Sequence, residues 1–472
     1  MNVLPPRPRH HVVILGGGFT GAAVAWHLAR QSARPLITVI EPRPFLGGGL
    51  AYSSEEPSHR VNVPASRMSL SPDEPEHFSR WLAHDGEAER DPDAVWRNGD
   101  IFPRRQVFGR YVAEQLAPHI ASGAIRHVRE CAGDVKRNGD GWIVTASGQP
   151  IAADMVVLAM THPSPDVPVA LEPIADTGGF VADVYSGDAL GAIAPEASVL
   201  IVGSGLTSAD TVAELDRRGH RGPILAVSRH GLRSRGHPQV RGEPFGDFTS
   251  APAATALGLL ENIRSTLAAA DACGVNWQSV FDQLRLQGPV IWSALNEDQR
   301  TRLVRRLRAF WDVHRFRIAP QVEAVLERRH AQGTYDNIAA GLVASSREGD
   351  RLTINLRRRG KRQVESLHFD AVINTTGPAH GKTLRINPAL RSLADVGLIR
   401  IDRHGLGIET ALDSRAVGPE GKPLDGLFVA GPLARGTLGE LMGLPEVARH
   451  AQTVASQVEA QLGAVSSIVG GR

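Results

Sequence analysis

The stretch HVVILGGGFTGAAVAWHLARQSARPLITVIE, residues His11 to Glu41, decides the fold. After His11, the next four residues are apolar and mostly β-branched, the pattern of a strand buried on both faces that ends at Leu15. Gly16, Gly18 and Gly21 follow as G-x-G-x-x-G, and the spacing predicts a helix from Phe19 to Arg30. Leu36 to Ile40 reads as a second strand, with Glu41 at its end, 20 residues after Gly21. Gly16 permits a tight turn, Gly18 lets a pyrophosphate approach the backbone, and Gly21 lets the helix pack close to the strand. Phe19 and Thr20 then sit where the helix N-terminus offers free N–H groups and a partial positive charge to phosphate. Glu41 is placed to accept from a ribose diol. A glycine-rich turn serving some other α/β domain is the plain alternative.

Around this unit, 472 residues exceed one hydrophobic core, so two or three domains are expected. Apolar content of 42% and charged content of 22% suit an ordinary soluble enzyme. The formal charge of +2, without a long basic block, gives no reason to expect a nucleic-acid partner. No apolar run reaches membrane-spanning length, and the opening MNVLPPRPRHH lacks a signal-peptide core, so a cytoplasmic protein is expected. Cys131 and Cys273 are the only cysteines and form no C-x-x-C, which argues against a redox disulfide and against thiolate metal ligation. No metal site is expected.

Past Glu41, FLGGGLAYSSEEPSHRVNVPASRM is rich in Gly, Pro and Ser. Gly47 to Gly49 fit a backbone passing close to a flat ligand. Helices are predicted at Glu76–Ala83 and Arg105–Leu116, then short strands from Gly123 to Ala159. Prolines at 163, 165 and 168 mark an interdomain passage. A second nucleotide unit starts at Ser198: VLIVGSGLTSAD carries Gly203 and Gly205, with Ser208 in the third glycine's place. Its second strand, Pro223–Ser228, ends not on an acid but on Arg229, with Arg233 and Arg235 nearby. Arginine there suits a 2′-phosphate and so NADPH; solvated loop arginines are the alternative. Residues 251–330 carry helical periodicity and are too long for one crossover, so they read as an insertion. Strands then recur from Gly341 and end in Asp370–Thr375, before Gly377-Pro378. After a strand at Leu427–Ala430 and the turn Gly431-Pro432, Pro445 sits in the first turn of a long final helix. That helix N-terminus suits the N1–C2=O edge of a flavin.

The fold class is therefore α/β, with two Rossmann-like dinucleotide-binding domains in a glutathione-reductase-like arrangement, the second inserted in the first, and a helical insertion. The expected boundaries are 1–163 for the first part of the first domain, 164–365 for the second domain with its insertion at 251–330, and 366–472 for the return.

With both glycine loops in hand, the chain resembles the bacterial FAD/NAD(P)-binding flavoprotein monooxygenases, among them FAD-dependent urate hydroxylase and, more distantly, nitrosuccinate-forming amino-acid N-monooxygenases. GGGFTG, the FLGGGLAYSSEEPSHRVNVPA loop, FPRRQVFGRYV, VGSGLTSAD, VSRHGLRSRGHP and GELMGLPEVARHAQ carry the likeness. It implies FAD on Gly16, Gly18, Gly21, Glu41, Gly49, Asn62 and Gly431, and NADPH on Gly203, Gly205, Thr207 and Arg229. Many flavin monooxygenases leave the FAD domain through A-T-G; here the counterpart is Ala159-Met160-Thr161, without the glycine. The activity implied is an NADPH-dependent hydroxylation of a small, polar, nitrogen-bearing molecule (urate-like or an amino acid) by O2 through a flavin C4a-hydroperoxide. Two alternatives stay open: a flavin reductase with a quinone or protein acceptor, and a redox sensor without turnover. A homodimer also stays open. For acid–base work the residues to test are His59 and Arg60 in the first loop and His314 and Arg315 at the end of the insertion. A helical His beside Trp and Phe is also an ordinary core residue.

Overall fold

The opening strand β1 (His11–Leu15) runs parallel to β2 (Leu36–Ile40), its register set by Val12 against Ile37 and Leu15 against Ile40. Val12 to Leu15 are wholly buried, as the run of apolar residues requires. The computed structural model describes residues 10–160 and 163–470. Helix α1 (Phe19–Ala29) joins the two strands and packs its small residues, Ala22 and Ala25 among them, against the C-terminal helix. Helices α2 (His77–Asp85) and α3 (Arg105–Ala121) lead into β3 (Ile125–Val128), which pairs with β2. An antiparallel meander of β4 (Ala132–Asn138), β5 (Gly141–Ala146) and β6 (Gln149–Ala153) stands apart as a three-stranded sheet. The apolar β7 (Met155–Leu158) returns beside β1.

The chain then passes to a second sheet through β8 (Phe180–Val181). There β9 (Val199–Val202), helix α4 (Leu206–Arg217) and β10 (Ile224–Ser228) repeat the first unit. The repeat extends to single bonds. Gly16 N–H donates to Ile40 C=O and Gly203 N–H to Val227 C=O, each at 2.9 Å.

Between β10 and its parallel neighbour β11 (Tyr335–Glu348) lie α5 (Ala256–Ala272), α6 (Trp277–Leu286), α7 (Gly288–Ala294), α8 (Glu297–Arg315) and α9 (Pro320–Ala331). The insertion expected over 251–330 is narrower than that. Helix α9 packs on α4 and enters β11, so it is the crossover of the nucleotide fold, and α5 to α8 are the added helices. Asn276 and Asn296 cap α6 and α8, each accepting from the backbone N–H three residues on. The added helices enclose Phe248, Val280, Phe281 and Leu284 in an apolar cluster of their own.

The expected boundary at 365/366 also moves. Strand β11 continues through a bulge into an antiparallel ribbon with β12 (Arg351–Arg358) and β13 (Glu365–Phe369), and β14 (Ala371–Asn374) pairs parallel with β9. The return to the first sheet thus follows Asn374. The run Ala371–Asn374 is buried throughout, and such a strand needs neighbours on both edges. The outgoing and returning passages touch, with Pro165 bridged antiparallel to Pro378. The first sheet closes with β15 (Arg415–Val417) antiparallel to β16 (Pro423–Val429), which pairs with β7, and α10 (Leu444–Gly470) ends the described chain. No helix among the described residues is long and apolar enough to cross a membrane.

Candidate functional site

Each glycine loop places its helix N-terminus by a steric demand that differs from glycine to glycine. At Gly16, φ is +97° and a Cβ would lie 2.6 Å from Ala159 C=O, so only glycine fits the turn. A Cβ at Gly21 would lie 1.9 Å from Gly16 C=O, which is the close helix–strand approach. Gly18 is different. Its φ of −65° suits any residue, and a Cβ there would meet only Gly49 Cα, at 3.4 Å. Its want of a side chain keeps the helix mouth clear rather than relieving the backbone. In the second unit Gly203 repeats Gly16, with φ +119° and a Cβ 2.5 Å from Thr375 C=O, while Gly205 faces open space.

A cleft of about 510 Å³ runs along the first loop. Gly16, Gly18, Phe19, Thr20, Glu41, Gly49 and Asn62 line it, and Thr207 from the second unit faces them. Glu41 is buried at the end of β2. Its Oε2 accepts from Gly17 N–H at 2.9 Å and its Oε1 from Arg43 at 3.0 Å. These residues fit a dinucleotide: a carboxylate at the strand end, a cation beside it, and an uncapped helix N-terminus with Thr20 in its first turn. Gly431 stands against Thr20, where a Cβ would come within 2.6 Å of its Oγ1. Gly431 N–H donates to His450 Nδ1 at 3.0 Å, and burial pushes that imidazole down to about 4. Pro445 lies in the first turn of α10, beside the cleft residues Gly443 and Leu444.

Gly203, Gly205 and Arg229 lie beyond the residues lining the cleft. Arg229 is exposed at the end of β10, next to His230, whose Nδ1 is 3.0 Å from Arg359 Nη1. Arg233 is held by Glu327. Thr161 of the Ala159-Met160-Thr161 passage lies outside the described residues, while Ala159 and Met160 line the cleft.

The four acid–base candidates separate. The side chains of His59 and Arg60 are buried and do not line the cleft: Arg60 makes two hydrogen bonds to Asp91, at 3.0 and 3.1 Å, and His59 Nε2 is 3.3 Å from Glu214. Their loop reaches the cleft through its next residues, Val61 to Pro64. His314 stacks on Phe281 with centroids 4.9 Å apart, its Nδ1 2.7 Å from Phe310 C=O, on the wall of a second cavity. Arg315 is buried in the cleft and ion-paired with Glu440.

The cleft also holds residues that sequence reading missed. Arg105 Nη2 donates to Asp210 Oδ2 at 2.6 Å, its Nε donates to Arg60 C=O at 3.0 Å, and the buried Tyr185 hydroxyl stands near both Arg105 and Thr207. His237 Nε2 donates to Asn62 C=O at 3.0 Å; burial, then Arg317, push its imidazole down to about 3, so it stays neutral. Arg285 and Arg317 come from the end of α6 and just beyond α8. Arg105, Asp210 and His237 lie in the stretches FPRRQVFGRYV, VGSGLTSAD and VSRHGLRSRGHP, and Arg317 in Arg-Phe-Arg at 315–317 next to His314, but nothing in those stretches marks these residues singly.

Residues 13–163 match a family model described as FAD-NAD(P)-binding. Among curated proteins, none matches the chain in sequence. In fold the chain is similar to L-lysine 6-monooxygenase from Pseudomonas syringae (TM-score 0.63, 19% identity, 95% of this chain and 99% of that one). It is also similar to ornithine N-hydroxylase from Kutzneria sp. 744 (TM-score 0.62, 16% identity, 96% and 100%). Thioredoxin reductase from Lactococcus lactis is less similar, at a TM-score of 0.51 and 11% identity over 96% and 99%. Residues 13–163 thus carry an FAD-NAD(P)-binding match, and the whole chain has the two-dinucleotide-domain flavoprotein fold.

Proposed function

We propose that the protein is an FAD-dependent, NADPH-using monooxygenase acting on a small nitrogen-bearing molecule with O2. The observation that carries this reading is a single cleft walled by the first glycine loop, by Thr207 of the second unit and by the added helices. Fold neighbours that are N-oxygenating enzymes support it, and an amine is accordingly preferred here over a urate-like ring. When bound, FAD supplies hydride acceptance and the reduction of O2.

The chain supplies position and dryness. The α1 N-terminus and Glu41 hold the first dinucleotide, with His237 fixing the Asn62 carbonyl beside it. Thr207, held by Tyr185, orients the second dinucleotide at the α4 N-terminus, and Arg229 is proposed to recognise its 2′-phosphate. Arg315, Phe316 and Arg317 close the cleft from the insertion side and keep water away from the reacting atoms. A cytoplasmic setting is proposed on the two exposed free cysteines.

The test is to load the protein with FAD, supply NADPH and 18O2 with a panel of amines, and follow label into product by mass spectrometry. Amine-stimulated NADPH oxidation with label in the product supports the reading. Rapid oxidation of NADPH with quinone and no labelled product overturns it in favour of a reductase.

A further inference from the structure

A second cavity, about 480 Å³, opens between the added helices and the segment before α10. Ligand-sized sites are mostly apolar with a few polar groups, and this one fits that description. Leu259, Phe281, Ile291, Trp292, Leu303 and Leu307 form its walls. Phe316 and Met442 line both this cavity and the dinucleotide cleft, so the two spaces meet at those side chains.

On the cleft side of Phe316 stands a cluster of cations. Arg315 and Arg317 flank it in sequence, and both are buried, as is Arg285. Arg317 pairs with Asp282 at 3.0 Å, Arg67 with Asp282 at 3.3 Å, Arg285 with Glu446 at 3.0 Å, and Arg315 with Glu440. With Asp312, which faces Arg315 and pairs with Arg308, five guanidinium groups thus share four carboxylates, Asp282, Asp312, Glu440 and Glu446. The Nε atoms of Arg285, Arg315 and Arg317 are buried without an acceptor among the described residues. Buried charges and buried N–H groups demand partners, so the cluster is one anion short. Burial first, and then the neighbouring Arg285, push the Arg315 guanidinium well below its ordinary range against the pull of Glu446 and Asp312.

Resting on the monooxygenase reading for its purpose, we infer that the substrate is an amino-bearing carboxylic acid with an apolar body. Its carboxylate completes the Arg285–Arg315–Arg317 cluster, and its body passes Phe316 and Met442 into the insertion cavity. The anion could instead be a phosphate of NADPH, and the test separates the two.

Binding of L-phenylalanine, 2-phenylethylamine and L-aspartate to the FAD-loaded protein is measured by calorimetry, without turnover. L-Phenylalanine is expected to bind at least about tenfold tighter than either of the others, since one lacks the carboxylate and the other the apolar body. Leu307→Trp, at a half-buried wall position, should erase the preference for phenylalanine over aspartate. Arg317→Gln should erase the preference over phenylethylamine while NADP+ still binds in the same calorimetry; Arg67→Gln, at the exposed edge, tests the same point should Arg317→Gln fail to fold. Equal affinity for the three ligands overturns the inference. So does a loss of NADP+ binding with unaltered phenylalanine binding, which assigns the arginines to the nucleotide. Tight, carboxylate-dependent binding of phenylalanine without labelled product keeps this site and removes the monooxygenase reading.

Discussion

Arg105 and Asp210 form a buried ion pair, 2.6 Å from Nη2 to Oδ2, that joins a helix of the first nucleotide unit to a helix of the second. It is one of three contacts along the same face of α4. Asp210, Glu214 and Arg217 fall at helical spacing and meet Arg105, His59 at 3.3 Å, and Glu56 at 2.7 Å. Although burial opposes it, Asp210 and Tyr185 hold the Arg105 guanidinium above its ordinary range.

Removing one partner should therefore cost more than removing both. Asp210→Ala leaves a buried guanidinium uncompensated and is expected to lower stability by roughly 3–5 kcal/mol. Arg105→Met with Asp210→Leu should recover most of that. Urea denaturation of the three proteins, with flavin fluorescence as a second probe, checks the order. A single and a double variant of equal stability would refute a coupled pair.

Gly16 and Gly18 should fail in different ways. Gly16→Ala places a Cβ against Ala159 C=O at a φ of +97°, so the protein itself should lose stability, by about 1–3 kcal/mol for the backbone strain alone. Gly18→Ala meets no such obstacle and should fold normally while losing most of its flavin. Apoprotein melting temperatures and the 450 nm absorbance of the purified proteins distinguish the two. Full flavin occupancy in Gly18→Ala would show that phosphate does not lie at this turn.

Arg229→Ala should raise KM for NADPH by about tenfold, the equivalent of ~1.4 kcal/mol, with KM for NADH little changed. Steady-state kinetics with both nucleotides give the answer. Equal changes would shift the 2′-phosphate to Arg359 or Arg233, or leave Arg229 a solvated loop residue.

Acid should loosen the flavin site through His450. Burial lowers its imidazole from 6.5 to about 4, so below pH 6.5 the unfolded chain binds a proton that the folded chain refuses. Stability is full above pH 6.5 and falls as the pH drops toward 4, by roughly 3 kcal/mol at most from this residue. Protonation also removes the acceptor for Gly431 N–H, at 3.0 Å in the folded state. His450→Gln should flatten the pH dependence of flavin release between pH 6.5 and 4.5. An unchanged profile would direct attention to His237, whose imidazole is also held low.

Local chemistry was legible in the sequence. The glycine turns, the paired parallel strands and the closing helix each announce themselves within a few residues, because backbone sterics and apolar runs act at short range. The boundary near residue 365 was less so. A strand such as Ala371–Asn374 does not say which sheet it joins, and only its pairing with β9 decides. The insertion helices were visible as helices, but not that Pro320–Ala331 belongs to the crossover. Arg67, Asp282, Arg317 and Glu446 lie far apart in the chain, and nothing in their spacing marks a common cluster. The loop of His59 and Arg60 approaches the cleft, yet their side chains turn to Glu214 and Asp91 instead.

The bridge between Pro165 and Pro378 has a bearing on ancestry and on engineering. Because the outgoing and returning chain meet at one place, everything between them enters and leaves through a single doorway. No strand of the host sheet is cut by it, since β7 and β16 pair directly on the far side. The middle of this protein is thus a cassette in chain path, and an exchange between related enzymes has to move Arg105 and His59 of the host together with their partners Asp210 and Glu214. A graft that keeps those two prolines as its seams would carry the nucleotide preference of the donor into the flavin scaffold of the recipient.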